Sequence, residues 1–440
     1  MLKLRYILRL ISAFVARFKA IIVFGILVGT AAFFAIGYLG KGFLNNKVVQ
    51  IGITGRYDTT NLPSLILNEI GDGLTSISES GVVEPSLARV WSTPDKGITW
   101  VFELNDNLTW QDGAKVESSQ LNYNFSDAKV EYPDQNTINF ILESPLSSFP
   151  SVVSAPIFRQ GLLGTGDWKV TKISLSGGYV QKLEVVNKGK EKIIYKFYPT
   201  EERTKLAYKL GEVDKIVGIF NPDPINTWKT TETHVEINKN RYVVIFFNAE
   251  DKFLSEKNIR QALSYAINKE SFESHRVIGP IPPNSWAYNP QVKPYNYDSQ
   301  RSQELLDELP DELKSELSIN LVTTPVLLQA AEAIAKDWEK VGVKTHVQVS
   351  SGVPEQYQAL LAIFDAPADP DQYGIWHSTQ TNGNFSNYKN PRIDKLLEDG
   401  RVELSTEERK RIYLDFQRFL MEDAPAVFLY HPQLYTISRN

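Results

Sequence analysis

The stretch "LSINLVTTPVLLQAAEAIAKDWEKVGVKTHVQVS", residues 317–350, decides the fold. "LSINLVTTP" reads as a strand, "VLLQAAEAIAKDWEKVG" as a helix that stops at Gly342, and "VKTHVQVS" as a second strand. Strand, helix, glycine stop and strand form the pattern of a βαβ unit.

The texture to either side agrees. Upstream, "RYVVIFFNA" (241–249) is a strand rich in β-branched and aromatic residues, followed by a helix starting near Ser255, "SEKNIRQALSYAINKESF". Downstream, "STEERKRIYLDFQRFLMED" (405–423) opens with a capping box of Ser405 and Glu408 and runs into "APAVFLY". Before residue 240 strands dominate: "KVVQIGITG", "TWVFELNDNLTW", "TINFILESP" and "KIIYKFYPT", with a turn at Pro94 and Gly97 and one amphipathic helix, "EERTKLAYKLGEVD", stopped by Gly211. There is no internal repeat. A mixed, strand-rich first lobe joined to an α/β second lobe points to a ligand held in the crevice between them.

At 440 residues the chain exceeds what one hydrophobic core serves, which fits two lobes. Its 42% apolar and 22% charged content is that of a folded protein, and its 8 Trp, 20 Tyr and 22 Phe leave aromatics to line a ligand surface. The absence of cysteine removes disulfides, thiolate nucleophiles and zinc-thiolate sites.

Residues 20–39, "AIIVFGILVGTAAFFAIGYL", form an uncharged apolar run long enough to cross a membrane as a helix. Lys3, Arg5, Arg9, Arg17 and Lys19 precede it without an acid, which keeps the N-terminus cytoplasmic and sends the body outside. The run predicts an uncleaved signal anchor, with a cleaved signal peptide and a buried helix as alternatives. Outside residues 1–41 there are 41 basic and 52 acidic residues, a net charge of −11 that disfavours nucleic acid and anionic lipid.

Catalytic motifs are missing. The histidines at 234, 275, 346, 377 and 431 show no metal-ligand spacing, and there is no G-x-S-x-G elbow, Walker loop or H-E-x-x-H. "GTGDW" (164–168) lacks a third glycine and a following helix and reads as a tight turn.

The densest acidic cluster is "AIFDAPADPDQYGIW" (362–376), with Asp365, Asp369 and Asp371. It lacks the alternation and turning glycine of a calcium loop, and no nucleophile accompanies it. Asp369, before Pro370, shapes a turn, and Asp371 caps a helix begun by "QYGIW". Asp365 follows the apolar run "ALLAIF" at a strand's C-terminal edge, where a carboxylate accepts charge-assisted hydrogen bonds from an ammonium.

From about residue 50 to the C-terminus the chain resembles the extracytoplasmic solute-binding proteins of peptide and nickel importers of the ABC type, solute-binding protein family 5. "EPSLARVWSTPDKGITWVFELNDNLTWQDGAKV", "GTGDWKV", "KLGEVDKI", "NIRQALSYAINKESF", "DAPADPDQYGIWHS", "NYKNPRIDKLL" and "MEDAPAVFLYHP" follow the family's motifs in order. The resemblance implies an α/β, two-lobed periplasmic-binding-protein-like clamp of class II type, here behind an N-terminal transmembrane helix.

Residues 1–46 would hold the cytoplasmic N-terminus and anchor (20–39), 47–240 with 428–440 the first lobe, and 241–427 the second. The family likeness implies a binding protein, not an enzyme, without cofactor or metal, that hands a short peptide or similar cationic solute to permease subunits. It makes Asp365 the partner of the ligand's ammonium, and Trp376, Tyr373 and Trp286 walls of the pocket or plain core. "NYNFSDAKVEYPDQNTINF" (122–140) is abrupt where relatives insert a few tens of residues, so a small third subdomain is reduced. The alternative function is a ligand-free, membrane-anchored clamp serving as a structural or regulatory module.

Overall fold

The computed structural model describes residues 16–21, 24–25, 28–30, 48–272 and 274–439. The anchor expected at 20–39 falls largely outside the described residues, among which no helix is long and apolar enough to cross a membrane.

The strand-rich part contains β1 (Val48–Thr54), β2 (Thr75–Ile77), β3 (Val83–Pro85), β4 (Ala88–Ser92), β5 (Thr99–Leu104), β6 (Ala128–Asp134), β7 (Thr137–Leu142), β8 (Trp168–Ser176), β9 (Tyr179–Asn187), β10 (Lys192–Tyr198), β11 (Lys215–Ile219) and β12 (Thr231–Ile237). The remainder adds β13 (Arg241–Phe247), β14 (Ser318–Thr323), β15 (Lys344–Val349), β16 (Ala359–Asp365), β17 (Ala426–Tyr430) and β18 (Gln433–Arg439).

Two larger sheets and the short antiparallel pair β2-β3 build the first lobe. A seven-stranded sheet runs β12-β18-β11-β1-β10-β9-β8, with β1 parallel to both β10 and β11. A four-stranded antiparallel sheet, β4-β5-β7-β6, carries its own core. In β5 the inward positions Trp100, Phe102 and Leu104 alternate with partly exposed ones, and they meet Ile138 and Phe140 of β7. The strand expected to continue through "NDNLTW" ends at Leu104, because Asn107 turns the chain with a left-handed φ of 65°.

The second lobe is a five-stranded sheet, β15-β14-β16-β13-β17, covered on both faces. Its interior strand β13, between β16 and β17, is buried on both sides, as its unbroken apolar sequence requires. Val243, Ile245 and Phe247 enter one core with the helices Lys257–Ala266, Ser299–Asp307 and Leu328–Lys340. Tyr242, Val244 and Phe246 enter the other with the helices Pro391–Val402 and Thr406–Asp423.

The stretch 317–350 folds as read: β14, the helix Leu328–Lys340, Gly342 at φ +87°, and β15 parallel to β14. Ser405 accepts a hydrogen bond from the Glu408 amide and caps the long helix.

The chain passes between the lobes twice among the described residues, at 238–240 and at 431–432. The return lies later than the 427/428 boundary drawn from sequence, because Ala426–Tyr430 still pairs with β13 in the second lobe. Strand β18 then inserts between β11 and β12 of the first lobe. Two short connections side by side are the arrangement of a hinge.

Candidate functional site

Both lobes present strand ends to the seam between them. On the second lobe, β13 begins with Arg241 and β16 ends with Asp365, and the two residues are paired in the antiparallel register. Arg241 donates from Nε to Asp365 Oδ1 at 2.5 Å and from Nη2 to Oδ2 at 3.0 Å. The Asp365 side chain remains 66% exposed. In the turn after β1, burial raises the Tyr57 phenol above its ordinary range and the positive charge of Arg241 partly offsets this.

The segment after Asp365 is fixed by its own carboxylates. Asp369 Oδ1 accepts from the Asp371 amide at 2.9 Å, and Asp371 Oδ1 accepts from the Tyr373 amide at 3.0 Å, opening the short helix Tyr373–Trp376. Asp369 is buried and receives both Nη atoms of Arg409, at 2.7 and 3.2 Å. Asp371 accepts from Arg401 Nε at 3.1 Å and from Ser148 Oγ of the first lobe at 3.3 Å. Its burial raises its carboxyl above the usual range, and Arg401 opposes the rise. Each of the three aspartates therefore has its own arginine.

The expected aromatics separate. Trp376, 1% exposed, stands in the second lobe's core against Phe246 and Phe428, its indole N–H donated to Gln372 Oε1 at 2.8 Å. It is a packing residue, not a pocket wall. Tyr373 is half-buried at the seam, its ring stacked on His377 at 4.0 Å and covered by Arg401 at 4.3 Å. Trp286 is also half-buried, and its backbone N–H reaches Ser80 O of the first lobe at 3.1 Å. The structure thus brings Tyr373 and Trp286 to the seam, puts Asp365 at its open edge, and leaves Trp376 behind it.

Further contacts close the seam on this side. The Ser147 amide donates to Arg401 O at 2.6 Å and Ser147 Oγ to Gly400 O at 3.2 Å, at the C-terminal end of the helix Pro391–Val402. Gly81, at φ +77°, passes so close to the second lobe that a Cβ there would lie 2.8 Å from Ala368 O. Asn284 Nδ2 donates to Glu79 O.

Cavities flank these contacts. One of about 490 Å³ lies between the four-stranded sheet and the second lobe, lined by Phe125, Leu146, Tyr373, Glu398 and Arg401 among others. One of about 550 Å³ lies at the hinge, lined by uncharged residues including Phe220, Phe272, Tyr430 and Tyr435. A third, about 340 Å³, indents the first lobe beside Arg56. Spaces of this size suit small ligands. Among the described residues no group of His, Asp or Glu side chains has the arrangement of a metal site.

The arginine partners escaped the sequence reading. Arg241 opens a strand and Arg401 and Arg409 sit on helices, so only the register of β13 against β16 and the packing of the last two helices reveals which aspartate each one meets.

Comparison with known proteins agrees with this architecture. Residues 82–386 match the model of "Bacterial extracellular solute-binding proteins, family 5 Middle". The oligopeptide-binding protein AppA of Bacillus subtilis is 24% identical, over 90% of this chain and 86% of that protein. The dipeptide-binding protein of Escherichia coli is 22% identical, over 90% and 88%. Among solved structures, NikZ of Campylobacter jejuni in complex with Ni(L-His) superposes with a TM-score of 0.74 at 22% identity, covering 90% of this chain and 94% of that one. The AppA structure from Bacillus subtilis, in complex with a nonapeptide, superposes with a TM-score of 0.71 at 18% identity, covering 90% and 95%.

Proposed function

We propose that this chain, which belongs to the bacterial extracellular solute-binding proteins of family 5, is the substrate-binding component of an ABC-type importer. It closes outside the membrane on a short peptide or related cationic solute and presents it to a permease. The family is one of binding proteins, not enzymes. Similar proteins are named for oligopeptide and dipeptide binding, which favours a peptide.

The observation that carries the reading is the place of Asp365. Its exposed carboxylate ends β16 at the mouth of the seam, with Arg241 as its resting partner. A ligand ammonium exchanges for that guanidinium, and main-chain groups of an extended peptide pair with the strand ends around it. Closure needs no chemistry. A solute that touches both lobes binds the closed form better than the open one and so draws the two together.

The apolar run 20–39 keeps the body beside the membrane in this reading. Tethering raises the effective concentration at the permease, so modest affinity suffices.

A second reading, a ligand-free anchored clamp, draws on the pairing of Asp365, Asp369 and Asp371 with arginines. Thermal denaturation of the full chain in detergent, with alanine peptides of two to six residues, separates the two. A peptide receptor gains melting temperature with peptide concentration. A scaffold does not.

A further inference from the structure

We infer that the edge of the first lobe where β1 begins is a docking face for anionic lipid headgroups, which lays this end of the body on the membrane entered by the apolar run 20–39. The inference rests on the tethered reading given above and concerns a surface remote from the interlobe seam.

The strand register draws the edge. Val48, the first residue of β1, stands beside Lys192 at the start of β10, and Asn187 at the end of β9 stands beside Trp168 at the start of β8. On the other side lie the start of β11 at Lys215, the end of β18 at Arg439 and the start of β12 at Thr231. Both interlobe connections leave from the opposite end of these strands, after Ile237 of β12 and before Gln433 of β18, so this edge is the end of the sheet away from the hinge. Eight residues, 40–47, separate Val48 from the apolar run, and a chain of that length reaches at most about 30 Å. The tether therefore holds this edge, and not the hinge end, beside the bilayer.

The edge carries charge opposite to that of the body. Its segments 167–169, 187–192, 209–215, 229–232 and 439 hold eight basic and five acidic residues, against a net charge of −11 for everything outside residues 1–41. Three of the acids are engaged within the lobe. Glu191 accepts from Asn187 Nδ2 at 2.8 Å, Asp214 from the Gln50 amide at 2.9 Å and Glu212 from the Tyr198 hydroxyl at 3.3 Å. Lys169, Lys188, Lys190 and Lys209 are exposed, and their ammonium groups have no partner among the described residues. Lys209 ends the helix Glu201–Lys209, and the turn through Gly211, at φ +76°, leaves the intervening Leu210 67% exposed. Free lysines around an exposed leucine suit a headgroup layer, where phosphates meet the ammoniums and the apolar side chain enters between them. The rest of the body, more negative still, is repelled, so this one basic edge sets the orientation and leaves the second lobe free to swing about the hinge.

The test places the full chain in nanodiscs of phosphatidylcholine alone or mixed with phosphatidylglycerol, pulses them with acetic anhydride, an uncharged reagent, and reads each lysine by mass spectrometry. On the anionic discs Lys169, Lys188, Lys190 and Lys209 should acetylate at least about fivefold more slowly, the factor that one lysine's attraction to such a surface supplies. High salt should abolish the difference. Lys336 and Lys410, exposed on the second lobe, should keep one rate on both discs. The double variant Lys188→Glu, Lys190→Glu should lose the protection of Lys169 and Lys209. Equal rates at the edge lysines on both discs, with the chain inserted, overturn the inference and leave the tethered reading standing. Slowing that is uniform over edge and second-lobe lysines, or that survives the double variant, also overturns it. A chain that enters discs of neither composition overturns the tethered reading and the inference with it.

Discussion

Arg241 and Asp365 stand opposite each other in the β13–β16 register and share two hydrogen bonds at the mouth of the interlobe seam. Because the Asp365 carboxylate is two-thirds exposed, the pair contributes little to stability, and its value lies in what it exchanges for. Asp365→Asn should raise the dissociation constant of a cationic peptide roughly 10- to 100-fold, about 1.5–3 kcal/mol. The unfolding free energy should move by less than about 0.5 kcal/mol. An unchanged dissociation constant in calorimetry removes Asp365 from the site.

The Asp369–Arg409 pair behaves oppositely. Both side chains are more than nine-tenths covered, so removing one leaves the other charged and buried. Asp369→Asn should cost about 3–5 kcal/mol in urea unfolding. A loss below about 1 kcal/mol would show that the guanidinium finds water there.

Trp376 tests the distinction between wall and core. Trp376→Ala should lose about 3–5 kcal/mol of stability, and Trp376→Phe distinctly less. Peptide affinity of the folded Phe variant should stay within about twofold of the unaltered protein. A selective loss of affinity at full stability contradicts the core placement.

Glu184, nearly covered on β9, lies between Lys182 and Lys192 at 2.7 and 2.5 Å. Hydrogen bonds from these two lysines hold its carboxyl down at about 2, against an ordinary glutamate value of about 4.3. On acidification the unfolded chain takes up this proton first, so the stabilisation is complete above about pH 4.3 and is lost as pH falls toward 2. The stability gap between the unaltered protein and Glu184→Gln should close across that window. A gap of constant size from pH 5 to pH 2 rules out the coupling.

Local signals carried most of the fold. Gly342 and the alternation on either side of it set out the βαβ unit, and the continuous apolar run of β13 announced a strand buried on both faces. What depended on register was not legible. Nothing local distinguishes Asp365, paired across two strands, from Asp369, paired with a residue forty positions later on the helix Thr406–Asp423. Trp376 and Tyr373 are three residues apart, yet one is core and the other seam, because the short helix they share turns one to Phe246 and the other to Arg401. The end of the second lobe is not marked locally, because β17 and β18 are separated by two residues, too few to read as a boundary.

The most direct test of a solute receptor is native mass spectrometry of the full chain, purified gently in detergent. The expected result is a ladder of added masses matching short peptides, displaced by excess of one alanine peptide. A single bare mass, unmoved by added peptides, contradicts capture of peptides between the lobes.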